Sequence, residues 1–146
     1  MEIITKSASE TQKLGKRIAV DLKPGDILAL YGELGSGKTT FIQGLAQGLG
    51  IRKRVLSPTF IFIRQYPLPK KSGLRIFHHI DLYRINNESE AEGLGLKEIF
   101  ADQEGISVIE WADRIKEVLP KKRIDLFFEY LDEDQRKIKI SGLNKL

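Results

Sequence analysis

Cysteine is absent from the 146 residues, which removes thiol catalysis, thiolate metal sites and disulfide staples, and fits a reducing compartment. No apolar stretch approaches the length of a membrane span. The opening Met1-Glu2-Ile3-Ile4-Thr5-Lys6 lacks the apolar core of a secretory signal, so a cytoplasmic protein without membrane contact is expected. Repeats, low-complexity tracts and an internal linker are also missing. Residues 1–146 therefore read as a single domain, long enough to bury a core without metals or staples. Charge of one sign is only slightly in excess, at +4 from 24 basic and 20 acidic residues. The surplus gathers at Arg52-Lys53-Arg54, Lys70-Lys71 and Lys121-Lys122-Arg123. These runs could meet RNA or an acidic surface, but no aromatic-rich RNA signature accompanies them and solvated loop ends are the simpler reading.

Against these absences stands one dense motif. Gly32-Glu33-Leu34-Gly35-Ser36-Gly37-Lys38-Thr39 fits G-x-x-x-x-G-K-[ST], and Thr40 follows it. An apolar run, Asp26 to Tyr31, precedes the motif as a buried strand would. Phe41, Ile42, Leu45 and Leu49 follow at helical spacing, and Gly48 and Gly50 stop the helix. Glycines at 32, 35 and 37 let successive backbone N–H groups turn inward toward phosphate oxygens, and the helix adds the positive end of its dipole. Lys38 supplies a charge for the β- and γ-phosphates and Thr39 a hydroxyl for Mg²⁺.

Such a site needs an acid at the end of a neighbouring strand. Asp81, after Phe77 to Ile80, and Glu110, after Ile106 to Ile109, both qualify. Glu110 follows the more apolar run and suits the metal side. Asp81 follows His78 and His79, which suggests a less deeply buried strand and a carboxylate facing substrate or water. Adjacent strand residues point to opposite faces, so the two histidines cannot chelate one ion together. Ser57-Pro58-Thr59-Phe60 lies where a segment sensing the γ-phosphate would sit, with a plain proline turn as the equal alternative. Trp111 and Tyr83 suit either core packing or a partner-contact surface near the phosphate end. No complete guanine-reading N-K-x-D occurs, so ATP is the expected nucleotide.

Elsewhere the pattern predicts a first strand over Glu2 to Thr5 and a helix capped by Ser7-Ala8-Ser9-Glu10 with a stripe of Thr11, Leu14, Ile18 and Leu22. A strand from Val55 to Tyr66 should end in a loop from Pro67 to Gly73 and pair antiparallel with a strand over 74–84. Asn87-Glu88-Ser89-Glu90 starts short helical pieces, Ala112 to Leu119 reads as a helix stopped by Pro120, and the tail alternates as a hairpin around Asp132 to Gln135. The expected class is α/β, a three-layer P-loop fold with a mixed central sheet flanked by helices.

The motifs Gly32 to Thr40, Ser57 to Phe60, His79-Ile80-Asp81-Leu82-Tyr83-Arg84 and Val108-Ile109-Glu110-Trp111 occur in that order, and together the chain resembles the TsaE (YjeE) family of bacterial tRNA-modification ATPases. The resemblance implies a P-loop ATPase required for threonylcarbamoyladenosine formation in tRNA, acting with the TsaD and TsaB proteins and touching tRNA indirectly. It implies phosphate and Mg²⁺ ligands at Lys38 and Thr39, a metal-side carboxylate at Glu110 and a residue needed for hydrolysis at Asp81. Thr11 and Arg136 are its candidates near the base. The family often has Asp at the position of Glu33, Ala at Ser36 and Pro at Ala112. The residues alone leave open an ATPase, a nucleotide-gated binding module and a small-molecule kinase.

Overall fold

The computed structural model describes residues 1–55, 62–71 and 73–143. Ser57 to Phe60 lie outside them. Seven strands form one mixed sheet in the order β1-β7-β6-β2-β5-β4-β3. These are β1 (Glu2–Thr5), β2 (Ile27–Tyr31), β3 (Ile63–Lys71), β4 (Leu74–Asp81), β5 (Gly105–Glu110), β6 (Ile124–Tyr130) and β7 (Arg136–Ser141). The central strands are parallel, β2 pairing with β5 and β6 and β4 with β5, while β6 pairs antiparallel with β7. Antiparallel pairs, β3 with β4 and β1 with β7, close both edges.

Helices α1 (Ala8–Asp21) and α2 (Lys38–Gly48) cover one face. The α1 start is capped as the sequence suggests: Ser7 accepts from the Glu10 N–H at 3.1 Å, and Glu10 reaches back to the Lys6 N–H, one residue earlier than a standard capping box. Thr11, Leu14 and Ile18 turn to the sheet, and Leu22 ends the helix buried. There Leu14, Ile18 and Leu22 join Phe41, Leu45, Leu28, Leu30, Phe77 and Val108 in the larger core. The two helices meet backbone to backbone. A Cβ on Gly44 would lie 1.9 Å from the Gln12 carbonyl oxygen, so no larger residue fits without separating them. On the other face, α3 (Glu88–Glu92), α4 (Leu96–Phe100) and a short 3-10 helix (Ala112–Ile115) pack Ala91, Leu96, Phe100 and Ile115 onto Ile80, Ile109 and Ala29. Sheet and helices thus make the three layers expected.

Two local expectations are corrected. The stretch Pro67 to Gly73 is mostly strand, not loop: β3 runs on to Lys71, with a register shift between Pro67 and Lys71. Proline is tolerated because β3 is an edge strand bonded on one side only. Ala112 to Leu119 forms only the 3-10 turn and two further bonds, Val118 and Leu119 N–H to the Ile115 carbonyl, because so short a segment is held by packing Ala112, Ile115 and Leu119 against the sheet and not by helical propensity.

Candidate functional site

The parallel strands β2, β5 and β4 end side by side, Leu30 opposite Glu110 and Glu110 opposite Asp81. The crevice beyond such strand ends is where open α/β sheets take ligands. β2 runs there into Gly32, whose φ of 144° turns the chain, and the loop closes with the Ser36 N–H on the Glu33 carbonyl at 3.2 Å. Gly37 then caps α2 with φ 102°, in the left-handed region that a side chain resists. Gly35 also has positive φ, at 76°.

A cavity of about 380 Å³ lies at this point, lined by Leu34 to Thr40 of the loop, by Asp81 and Tyr83 after β4, by Glu110 and Trp111 after β5, and by Arg136 from β7. The sequence's two acids and its loop therefore meet in one place. Gly32, Glu33 and Thr11 stand outside the lining. Thr11 is buried, its hydroxyl bonded to Thr5 Oγ1 at 2.7 Å, so only its methyl approaches Gly37. Arg136 approaches the same glycine from the opposite element. Its Nε donates to the Gly35 carbonyl at 3.1 Å, Nη1 donates to the carbonyls of Asp132 and Gln135, and the guanidinium sits 4.6 Å from the Tyr130 ring centre.

Lys38 is buried, with Nζ donating to the Gly32 carbonyl and lying 3.8 Å from the centre of the Trp111 ring. Burial lowers its pKa, while the carboxylates of Glu110, Asp81, Asp113 and Glu33 act to keep the charge. Asp81 is shifted upward, chiefly by burial and then by the charge of Glu110; the Tyr83 N–H, at 3.0 Å from Oδ1, pulls the other way, as do His79 and Lys38. One ammonium and two carboxylates thus share a partly dry site. Trp111 is the one non-glycine residue with positive φ among the described residues, at 60°, and its ring also meets Tyr83 at 5.1 Å. Such a conformation persists only where surroundings over-determine it.

Asp81 does end the less buried of the two acid-bearing strands, since β4 is open from Leu74 to Ile76 while β5 is buried throughout, but the histidines are not the cause. His78 and His79 are both buried, because each imidazole is matched to a carboxylate: His78 Nε2 to Asp102 at 3.0 Å on one face, His79 Nε2 to Glu110 at 2.8 Å on the other. They serve opposite faces, as alternation requires. The His79–Glu110 contact escaped the sequence reading, although the two-residue spacing from His79 to Asp81 already placed both on one face.

The donor chemistry suits a polyphosphate with a hard divalent cation. Thr39, Asp81 and Glu110 are among the oxygen-bearing side chains that line the cavity, and Mg²⁺ prefers one or two carboxylates with phosphate and water completing its shell. Among the described residues no cluster of three or more His, Asp or Glu could hold a metal by protein ligands alone.

A family model for the threonylcarbamoyl adenosine biosynthesis protein TsaE matches residues 5–138. The tRNA threonylcarbamoyladenosine biosynthesis protein TsaE of Bacillus subtilis (strain 168) is 42% identical over 139 residues, spanning 95% of this chain and 84% of that protein. Its namesake in Treponema pallidum (strain Nichols) is 31% identical over 141 residues, spanning 97% and 100%. A crystal structure titled as Bacillus subtilis YdiB superposes with a TM-score of 0.76 at 37% identity, covering 94% of this chain and 82% of the other.

Proposed function

We propose that this chain, which belongs to the TsaE family of threonylcarbamoyl adenosine biosynthesis proteins, binds ATP with Mg²⁺ in the strand-end cavity and hydrolyses it in support of tRNA threonylcarbamoyladenosine modification. The observation that carries this reading is the convergence of Gly35 to Thr40, the buried Lys38 and the carboxylates of Asp81 and Glu110 on one cavity. Loop amides and the N-terminus of α2 take the polyphosphate, with Lys38 leaving the Gly32 carbonyl to meet its outer phosphates. Thr39 and Glu110 would hold Mg²⁺, which when bound offsets charge on the transferring group. Asp81 orients the water that attacks the γ-phosphorus; the bond to the bridging oxygen breaks and ADP leaves with phosphate.

Turnover by the chain alone is slow in this reading. The arginine that lines the cavity among the described residues, Arg136, is already spent on three backbone carbonyls, so its guanidinium does not stand ready to stabilise the developing charge. Partners would supply a guanidinium or release this one, and the family resemblance implies the TsaD and TsaB proteins as those partners, with tRNA reached through them. No helix among the described residues is long and apolar enough to cross a membrane, and a cytoplasmic site agrees with work on tRNA. The test is phosphate release from ATP with and without TsaD and TsaB. Release that rises with the partners supports the reading; transfer of phosphate to an acceptor other than water supports a kinase, and equal rates refute stimulation.

A further inference from the structure

We infer that His79 is a positioning residue: its Nε2–H grips one oxygen of Glu110, so that this carboxylate meets the cavity in a single orientation. The inference rests on the reading of the cavity as an ATP site and adds a residue to it.

A glutamate at a strand end has several staggered side-chain conformations open to it, and only some present an oxygen to the cavity. Glu110 is nearly immobilised by its surroundings. Its side chain is 4% exposed, and its one side-chain hydrogen bond among the described residues is the 2.8 Å contact from His79 Nε2. The imidazole is 0% exposed, and Nδ1 has no partner among the described residues. A purely structural ring there would be better served by an apolar side chain of similar shape, which buries no unbonded nitrogen. The ring therefore has one polar task, and it is directed at a residue that lines the cavity. Asp81, the other cavity acid, is fixed from the same strand end by the Tyr83 N–H. β4 thus sets both carboxylates, one through a backbone amide and one through an imidazole. Bonds of this kind, behind the groups that touch ligand, commonly tune those groups.

His78 provides an internal control. It is an equally buried histidine paired with a carboxylate, Asp102, but it faces away from the cavity and neither partner lines it.

The experiment compares wild type with His79→Phe, which removes the donor and keeps a ring; His79→Gln, whose amide nitrogen can occupy the place of Nε2; and His78→Phe. ATP affinity is read by calorimetry with and without Mg²⁺, and phosphate release by steady-state kinetics with the TsaD and TsaB proteins present. His79→Phe should lower kcat by about tenfold or more, leave KM within about threefold, and shrink the gain in ATP affinity that Mg²⁺ confers on wild type. His79→Gln should recover most of both losses. His78→Phe should change neither. In a Glu110→Gln background, His79→Phe should leave the Mg²⁺ dependence of ATP affinity where Glu110→Gln alone put it. If His79→Phe does not fold, His79→Asn takes its place, since its amide is too short to reach Glu110. Wild-type kcat and Mg²⁺ dependence in the donor-free variant overturn the inference, as does equal impairment of the Gln variant. A wild-type protein that neither binds nor hydrolyses ATP would instead overturn the ATP reading beneath it.

Discussion

Replacing Gly44 by alanine tests the platform on which the phosphate loop stands. Within a helix this change normally helps, by about 1 kcal/mol. Here the added Cβ would lie 1.9 Å from the Gln12 carbonyl oxygen and 2.7 Å from the Gln12 carbonyl carbon, both backbone atoms of α1. Ordinary contact requires a separation larger by about 1.5 Å, and no flexible side chain can give way in its place. Overpacking costs of about 1–3 kcal/mol refer mostly to side chains that can rearrange. With two backbones in contact we expect a net loss of about 3 kcal/mol after the gain in helix propensity, a large share of the roughly 5–15 kcal/mol that holds a domain. A midpoint of thermal unfolding lower by about 6–12 °C follows for a chain of this size. Urea unfolding should show a lower midpoint with unchanged slope. Since α2 begins at Lys38, ATP affinity should weaken as well. Gly93 supplies the comparison, since a Cβ there meets nothing within 4 Å. Gly93→Ala should be neutral or stabilising by about 0.5 kcal/mol. A Gly44→Ala protein as stable as wild type would refute the backbone-to-backbone packing of α1 on α2.

Further outcomes follow from the shifted groups. Burial and the charge of Glu110 hold Asp81 above its usual range, so the folded protein binds that proton more tightly than the unfolded chain and loses stability as pH rises through the folded value. Asp81→Asn keeps an acceptor for the Tyr83 N–H and removes that loss; stability from urea melts at neutral pH should be unchanged or higher by under about 1 kcal/mol, while phosphate release falls by about tenfold or more. A variant clearly less stable than wild type at neutral pH would contradict this. Tyr31 is pushed up to about 12 by burial and by its bond to Asp125, so its contribution is complete below pH about 10 and is lost as pH rises from there toward the folded value. The half-buried ring is partly screened, which keeps that loss below about 2 kcal/mol. Tyr31→Phe should flatten the alkaline limb of stability in urea melts, and an unchanged limb would rule out the linkage.

The sequence was most legible where the chemistry constrains several neighbouring residues at once. Gly32 to Thr39 requires a buried strand before it and a helix after it, and both are there as β2 and α2. Ser7 and Asn87 announced helix starts because a capping side chain acts over three residues, and each accepts the expected N–H from Glu10 and Glu90. Pro67 and Pro69 misled because proline forbids a place inside a sheet but not at its edge, and edge position is a property of strand order. The same limit hid the partner of His79. Alternation put His79 and Asp81 on one face, but only the parallel pairing of β4 with β5, Asp81 opposite Glu110, brings Glu110 within reach of the imidazole. The left-handed turn at Trp111 and the seat its ring offers to Lys38 likewise depend on long-range packing.

Calorimetry of ATP binding to wild type and Lys38→Ala tests the central claim most directly, because the variant removes one ammonium and leaves the loop backbone in place. The account expects saturable, Mg²⁺-dependent binding of ATP and ADP to wild type, weaker binding of GTP, and a loss in ATP affinity of about tenfold or more in the variant. Equal affinity in the two proteins, or no heat of binding in wild type, would contradict it.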